Sequence, residues 1–90
     1  MFELRHLRHA LGLAEHRNFA RAAEAMHISQ SALSRSIQSL EESLEVILFD
    51  RSHGGVEPTI FGQLLLKNAR DLDLAARDLQ REIELAKGLS

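Results

Sequence analysis

The sequence predicts a mainly α-helical fold, with three helices, a short two-stranded wing and then one long helix. Apolar residues recur every three or four positions in three early segments, and residues that can cap a helix stand before two of them. A β-prone run and a glycine-rich turn follow the third segment. From Thr59 onward, apolar residues repeat in heptads almost to the C-terminus, which indicates a much longer helix.

Composition narrows the class of protein. Ninety residues suit one small domain, with or without an appended helix, and leave little room for an enclosed active site. There is no cysteine, which excludes disulfides and thiolate metal sites and fits an intracellular setting. No apolar run is long enough to span a membrane, and the N-terminus does not resemble a signal peptide. We expect a cytoplasmic protein that is not an enzyme and binds no membrane, metal or cofactor.

The first two predicted helices are short and amphipathic. Phe2–His16 turns inward an apolar face formed by Leu4, Leu7, Leu11 and Ala14. Asn18 is a plausible N-cap for the second helix, Phe19–Met26, whose alanines permit close packing. Only His27 and Ile28 separate it from the next helix. Two helices joined so closely predict a helix-turn-helix, whose second member is the helix that reads DNA.

The third predicted helix has two distinct faces. Ser29 is its N-cap and Leu44 its last residue, and its inner stripe consists of Leu33, Ile37, Leu40 and Leu44. The first half of its outer face carries short, uncharged, hydrogen-bonding residues around Arg35. Such side chains can reach base edges in a major groove, and the alternative is a solvated helix surface, which would more often carry lysine and glutamate. Glu42 and Glu45 should keep the far end away from phosphates.

A small hairpin, or wing, is predicted after this helix. The β-prone run Val46–Phe49 forms one strand, the turn-rich Ser52–Gly55 follows, and Val56–Pro58 returns as the second strand. Arg51 and His53 lie at its base and tip, where a basic side chain can reach a phosphate or the minor groove.

The remaining residues predict one helix with Thr59 as N-cap, running to about Lys87, with Gly88 as a stop signal. The periodicity changes after Pro58, so we expect a boundary between a winged helix-turn-helix at 1–58 and one long helix at 59–90. A helix of about 40 Å is longer than the domain can cover. Its heptad seam therefore predicts a homodimer, parallel or antiparallel, rather than a helix folded back on its own domain. The seam consists of Leu65, Ala69, Leu72, Ala76, Leu79, Ile83 and Ala86.

Charge alone argues against a nucleic-acid partner, since the net charge is −2. Apart from histidines, the basic residues up to Val56 are nevertheless all arginines, and many acids lie near the C-terminus, so that one face remains able to bind DNA. The alternative is a helical protein-interaction module that uses its heptads and never contacts DNA. Five histidines invite a metal interpretation, but His6 and His9, one turn apart, lack a third ligand.

Phe19–Arg51 closely resembles the N-terminal DNA-binding domain of LysR-type transcriptional regulators. The shared motifs are AA-E from Ala22, SQ-AL-S from Ser29, I--LE--L from Ile37 and LF-R from Leu48. An early LRHL (Leu4 to Leu7) and a T--G at Thr59 and Gly62 extend the resemblance to essentially the whole chain.

The resemblance implies a winged helix-turn-helix DNA-binding domain at 1–58, followed by a dimerising linker helix at 59–90. A two-fold symmetric dimer on double-stranded DNA should bind an inverted-repeat operator. The residues expected in the major groove are Gln30, Ser31, Ser34, Arg35 and Gln38. Contacts to the backbone, including those of the wing, are expected from Asn18, Arg21, Arg51, Ser52, His53 and Thr59. A small-molecule effector would act only through a C-terminal domain of the family that this sequence lacks.

Three departures from the family pattern stand out. Glu45 replaces a common glycine, which would strain the end of the third helix if that position has positive φ. Ser31 stands where proline is frequent and adds a hydroxyl at the groove, so that base preference is expected to shift. The residues before the linker, from Pro58, also differ, so that this junction is expected to pack differently.

Overall fold

The computed structural model describes residues 1–52 and 54–89, and in this part it confirms the predicted mainly α-helical winged fold. The elements, in chain order, are α1 (Leu4–His16), α2 (Phe19–Ala25), α3 (Gln30–Leu44), β1 (Phe49–Asp50), β2 (Glu57–Pro58) and α4 (Ile60–Gly88). The described residues extend over 54 × 25 × 19 Å, because α4 continues well beyond the three-helix body.

The three predicted N-caps are confirmed. Asn18 Oδ1 accepts a hydrogen bond from the Arg21 N–H at 2.9 Å, and Ser29 Oγ accepts from the Ala32 N–H at 3.0 Å. Thr59 Oγ1 accepts from the N–H of Gly62 at 3.2 Å. These bonds satisfy backbone donors that have no partner inside the helix, which explains why the helices begin where they do.

The other helix ends differ slightly from the prediction. α1 begins at Leu4 rather than Phe2, because Glu3 is extended and serves as its N-cap. α2 ends at Ala25 with Met26 as its C-cap, and Gly88 lies inside α4 rather than after it. α3 ends at Leu44 as predicted, although Glu45 takes the left-handed conformation with φ of 57°. A non-glycine residue there costs roughly 1–2 kcal/mol, so the surrounding packing must hold this turn.

One core joins all four helices and the wing of the described chain. Its largest fully buried side chains come from α1, α3 and the segment before β1, and are Leu13, Leu33, Ile37, Leu40 and Leu48. Leu66 and Ala69 of α4 are buried in the same core, and α1 and α4 are in extensive contact. The first turns of α4 therefore pack on the body. The division of the chain at 58 and 59 into two domains stays a prediction.

The wing strands are shorter than predicted. They are antiparallel, with Phe49 opposite Pro58 and Asp50 opposite Glu57. Neighbouring backbone groups bond elsewhere: the Leu48 N–H donates to Glu41 Oε2 at 2.8 Å, and the Val56 N–H donates to the Arg17 carbonyl at 3.1 Å. Residues around Leu48 and Val56 therefore attach the wing to the helices instead of extending its ladder.

The junction between wing and α4 is tight. The Thr59 hydroxyl donates to the carbonyl oxygen of Ile47 at 2.6 Å, and the Thr59 N–H donates to the carbonyl of Leu48 at 2.9 Å. Gly62 faces the same Leu48 carbonyl so closely that a Cβ at this position would overlap it. Glycine is therefore needed here for close approach of two backbones.

Candidate nucleic-acid interface

The outer face of α3 carries the residues predicted to enter the major groove. Gln30, Ser31, Arg35 and Gln38 are exposed, and Ser34 is half-buried. Their spacing of three and four places them on one side of the helix, opposite the buried Leu33, Ile37 and Leu40. The structure thus brings all five predicted residues together on one surface.

Arg35 is the free positive charge on this face. Among the residues that the structure describes, none of the ion pairs includes Arg35. Ser29 Oγ and Ser31 Oγ lie 3.2 Å apart at the start of the helix, so that short hydroxyl side chains surround its first turn. A free guanidinium among small polar groups can donate two parallel hydrogen bonds to guanine O6 and N7.

Arg51 stands beside this face, at the base of the wing. Its guanidinium carbon lies 4.4 Å from the centroid of the Phe19 ring, in the range of a cation–π interaction. Arg51 lines one depression with Ser34 and Gln38, and a second depression with Asn18 and Gln30. The wing and the starts of α2 and α3 therefore meet around this arginine.

The other predicted backbone contacts have varied positions. Arg21 is exposed in the first turn of α2. Ser52 is exposed in the wing, where its N–H and its hydroxyl donate to Asp50 Oδ1 at 2.9 and 2.7 Å. The Thr59 hydroxyl is engaged in the junction with Ile47 and Gly62, and a DNA contact there stays a prediction. His53 lies outside the described residues.

Two residues position the site in ways that were not predicted from the sequence. Arg17 has φ of 57°, accepts the Val56 N–H on its carbonyl and pairs with Glu57 at 3.3 Å, so that it connects the α1–α2 corner to the wing. Glu41 accepts from the Leu48 N–H and lines the depression next to Arg51. The only sequence signals were an arginine just after a helix and an acid on the wing side of α3.

The predicted dimer seam divides into two parts. Ala69 is fully buried in the core of its own chain and Leu65 is half-buried against that core. Further along α4, Leu72, Leu79 and Ile83 are 49%, 60% and 52% exposed. Ala76 is half-buried and Ala86 exposed. The seam residues with surface left for a second chain therefore begin at Leu72.

An apolar groove continues the seam onto the body. It is lined by Phe2 before α1, by side chains at the end of α3 and by side chains of the N-terminal half of α4, including Leu44, Phe61, Leu64 and Leu72. Phe61 and Leu64 are 50% and 61% exposed, which is unusual for large apolar side chains that lie next to one another.

The described residues contain no group of three or more potential metal ligands. Nor does any helix in the described part combine the length and hydropathy that a membrane span requires.

Comparison with known proteins identifies the family. Residues 4–63 match the family described as "Bacterial regulatory helix-turn-helix protein, lysR family". The SDS degradation transcriptional activation protein of Pseudomonas sp. (strain ATCC 19151) is 56% identical over 72 residues, covering 80% of this chain and 24% of that protein. The HTH-type transcriptional regulator ClcR of Pseudomonas putida is 47% identical over 70 residues, covering 78% of this chain and 24% of that protein.

A solved structure gives the same result. The crystal structure of the CbnR DNA-binding domain in complex with DNA superposes with a TM-score of 0.83 at 41% identity, covering 94% of this chain and 99% of that chain. This chain spans about a quarter of the length of the two curated relatives. With its family motif extending from α1 into α4 and its fold shared with a DNA-bound domain, the chain belongs to the LysR family of bacterial regulatory helix-turn-helix proteins.

Proposed function

We propose that this chain is the sequence-specific DNA-binding part of a LysR-type transcriptional regulator, with the N-terminal half of α3 in the major groove. The observation that carries the proposal is the outer face of α3, where Arg35 has no acidic partner among the described residues and Arg51 lies alongside. The DNA-bound CbnR domain, which has the same fold, supports this assignment. The alternative of a protein-interaction module that never contacts DNA is not favoured.

We give roles to the predicted residues of α3, to Arg51 and to the start of α2. Arg35 reads a guanine, while the small polar groups of α3 contact base edges around it. Arg51, held against Phe19, reaches the backbone beside the groove, and Arg21 and Asn18 contact phosphates from the start of α2. Glu42 and Glu45 are exposed at the far end of α3, and their charges keep that end out of the groove.

The DNA partner is double-stranded and the chain acts as a homodimer. Leu72, Leu79 and Ile83 form an exposed apolar line on α4, and a second copy of this helix has the matching surface. A two-fold symmetric pair of reading helices requires an inverted-repeat site. An effector would be sensed by a part of the regulator outside this sequence, since the relatives are about four times as long. A regulator of this kind acts in the cytoplasm, without catalysis.

Salt dependence tests the proposal directly. A pool of duplexes with a random central segment is selected for binding, sequenced, and the enriched duplex is titrated at several salt concentrations. We expect an enriched inverted repeat and an affinity that falls steeply as salt rises, because each neutralised phosphate releases condensed counterions. If no sequence is enriched and the affinity for duplex DNA does not change with salt concentration, the proposed DNA binding is excluded.

A further inference from the structure

A second basic depression lies on the side of α3 that faces away from the wing. It is lined from α1 by Arg5, His6 and His9, and from the turn and α3 by Ile28, Ala32, Arg35, Ser36 and Ser39. No carboxylate contributes to this lining within the described chain. The wing-side depression instead uses Ser34, Gln38 and Glu41 of α3. The two depressions therefore flank the reading face on opposite sides.

A helix in the major groove lies between two phosphate strands. The groove is about 12 Å wide and a helix with its side chains is about 10–12 Å across, so that both strands run close to its flanks. In the proposed complex, Arg51 contacts the backbone of the DNA strand on the wing side. The strand on the other side faces the first turns of α1.

From this geometry we infer that Arg5 and His6 form a site for a backbone phosphate of the DNA strand opposite the wing, next to the base-reading Arg35. The inference rests on the proposed function. It adds α1 to the elements that contact DNA. No residue of α1 had been assigned to DNA.

The hydrogen bonds of the depression favour an anion. The N–H of Glu3 donates to His6 Nδ1 at 3.3 Å, which leaves Nε2 on the other side of the ring as the nitrogen that can donate to a ligand. Arg5 pairs with Glu3 at 2.7 Å, but both side chains are well exposed, so this pair is weak and a phosphate can replace the carboxylate.

The pKa of His9 is sensitive to the charge in this depression. Its Nδ1 lies 2.5 Å from Oγ of the buried Ser36, so that the ring is fixed between α1 and α3. Burial lowers the pKa of His9 below its usual 6.5, and the electrostatic influence of His6 and Arg5 lowers it further. The negative charge of a phosphate in the depression would favour protonation of His9, and DNA binding should therefore raise the pKa of His9.

The test compares Arg5→Gln and His6→Gln with the control Arg81→Gln, an exposed arginine far along α4 that pairs with Asp78. We expect Arg5→Gln to reduce the salt slope of DNA affinity by about 0.9 for each phosphate that is no longer neutralised, equally on selected and random duplexes. His6→Gln should weaken both duplexes alike, while Arg81→Gln should leave slope and affinity unchanged.

Two further measurements complete the test. Glu3→Gln frees Arg5 and should tighten binding more than the matched α4 change Glu82→Gln, and NMR titration should show the His9 pKa rising on addition of duplex. If wild type binds with a steep slope that Arg5→Gln leaves unchanged, the α1 site is wrong and the proposed function stands. If wild type shows no salt-dependent binding, the proposed function itself fails.

Discussion

The guanidinium of Arg51 lies over the ring of Phe19, 4.4 Å from its centroid, so that the wing is held against the first residue of α2. This contact orients a flexible side chain toward the outer face of α3 before any DNA is present.

Replacing Phe19 with leucine keeps an apolar side chain of similar size and removes the π-face. Because an exposed cation–π contact is worth about 0.5–1 kcal/mol, we expect DNA affinity to fall about two- to fivefold. Fluorescence anisotropy measures the loss, and Phe19→Tyr, which retains the ring, should bind as wild type.

Arg35 and Arg21 should have different effects on specificity. Arg35→Ala removes the proposed guanine contact, and we expect about 1–3 kcal/mol less discrimination at one base pair in each half-site. Arg21→Ala removes a phosphate contact and should weaken all sequences alike. Binding of a set of single-base operator variants separates the two. Equal losses from both substitutions on operator and random DNA would contradict the roles given to them.

The dimer seam is best tested beyond the body of the fold. Leu79 is 60% exposed in the single chain, so Leu79→Asp should not disturb folding but would place a charge in the apolar seam. We expect monomers in analytical ultracentrifugation and much weaker binding to an inverted repeat. Gln80→Asp, which adds the same charge next to the seam, is the matched control. A dimer that survives Leu79→Asp would place the contact between chains on another surface.

Gly62 and Gly12 are both closely packed, each against a different neighbour. A Cβ at Gly62 would overlap the backbone carbonyl of Leu48, whereas a Cβ at Gly12 would meet the flexible end of Met26. Backbone cannot move aside as readily as a methionine side chain. We therefore expect Gly62→Ala to lower the free energy of unfolding by about 1–3 kcal/mol, and Gly12→Ala to lower it less. Urea denaturation of both variants decides this, and a larger loss for Gly12→Ala would contradict it.

Asp73 links α1 and α4 in a pH-dependent way. Its Oδ1 accepts from Arg8 Nε at 2.6 Å and its Oδ2 from Arg77 Nε at 3.0 Å. The Arg8 hydrogen bond is the main cause that lowers the pKa of Asp73 from its usual 3.8. Since the unfolded chain binds the proton more readily, this stabilisation is fully present above pH 3.8 and is lost as pH falls through the lower folded pKa.

Thermal unfolding at several pH values tests this link. Asp73→Asn should be less stable than wild type near neutral pH, and the difference should shrink as pH falls below the pKa of the unfolded carboxyl. Asp71→Asn, which removes an exposed charge from the same helix, is the control. A difference that stayed constant down to the most acidic pH would show that the stabilisation does not come from the ionised carboxylate.

Local signals accounted for much of the fold. Asn18, Ser29 and Thr59 marked helix starts correctly, because a capping side chain bonds within its own first turn and needs no distant partner. The apolar stripe of α3 likewise predicted which face is buried. The wing strands were predicted too long, because Leu48 and Val56 bond to Glu41 and Arg17, residues far from the ladder.

The site was less accessible to sequence reasoning. The outer face of α3 follows from periodicity alone. The contact of His9 with Ser36, the ring beneath Arg51 and the burial of Ala69 within its own chain depend on how helices pack across long sequence separations. Heptad spacing could not distinguish a residue that packs on its own body from one that packs on a second chain.

The junction at Thr59 and Gly62 has a mechanical consequence. Because the start of α4 is bonded to the backbone at Ile47 and Leu48 and pressed against it, the helix cannot swivel freely on the body. The body and α4 therefore move as one rigid unit. In the proposed dimer, a tilt applied to the far end of α4 would be transmitted to both reading heads. The tilt of α4 would then set the spacing of the two half-sites to which the dimer binds, without any hinge at the junction.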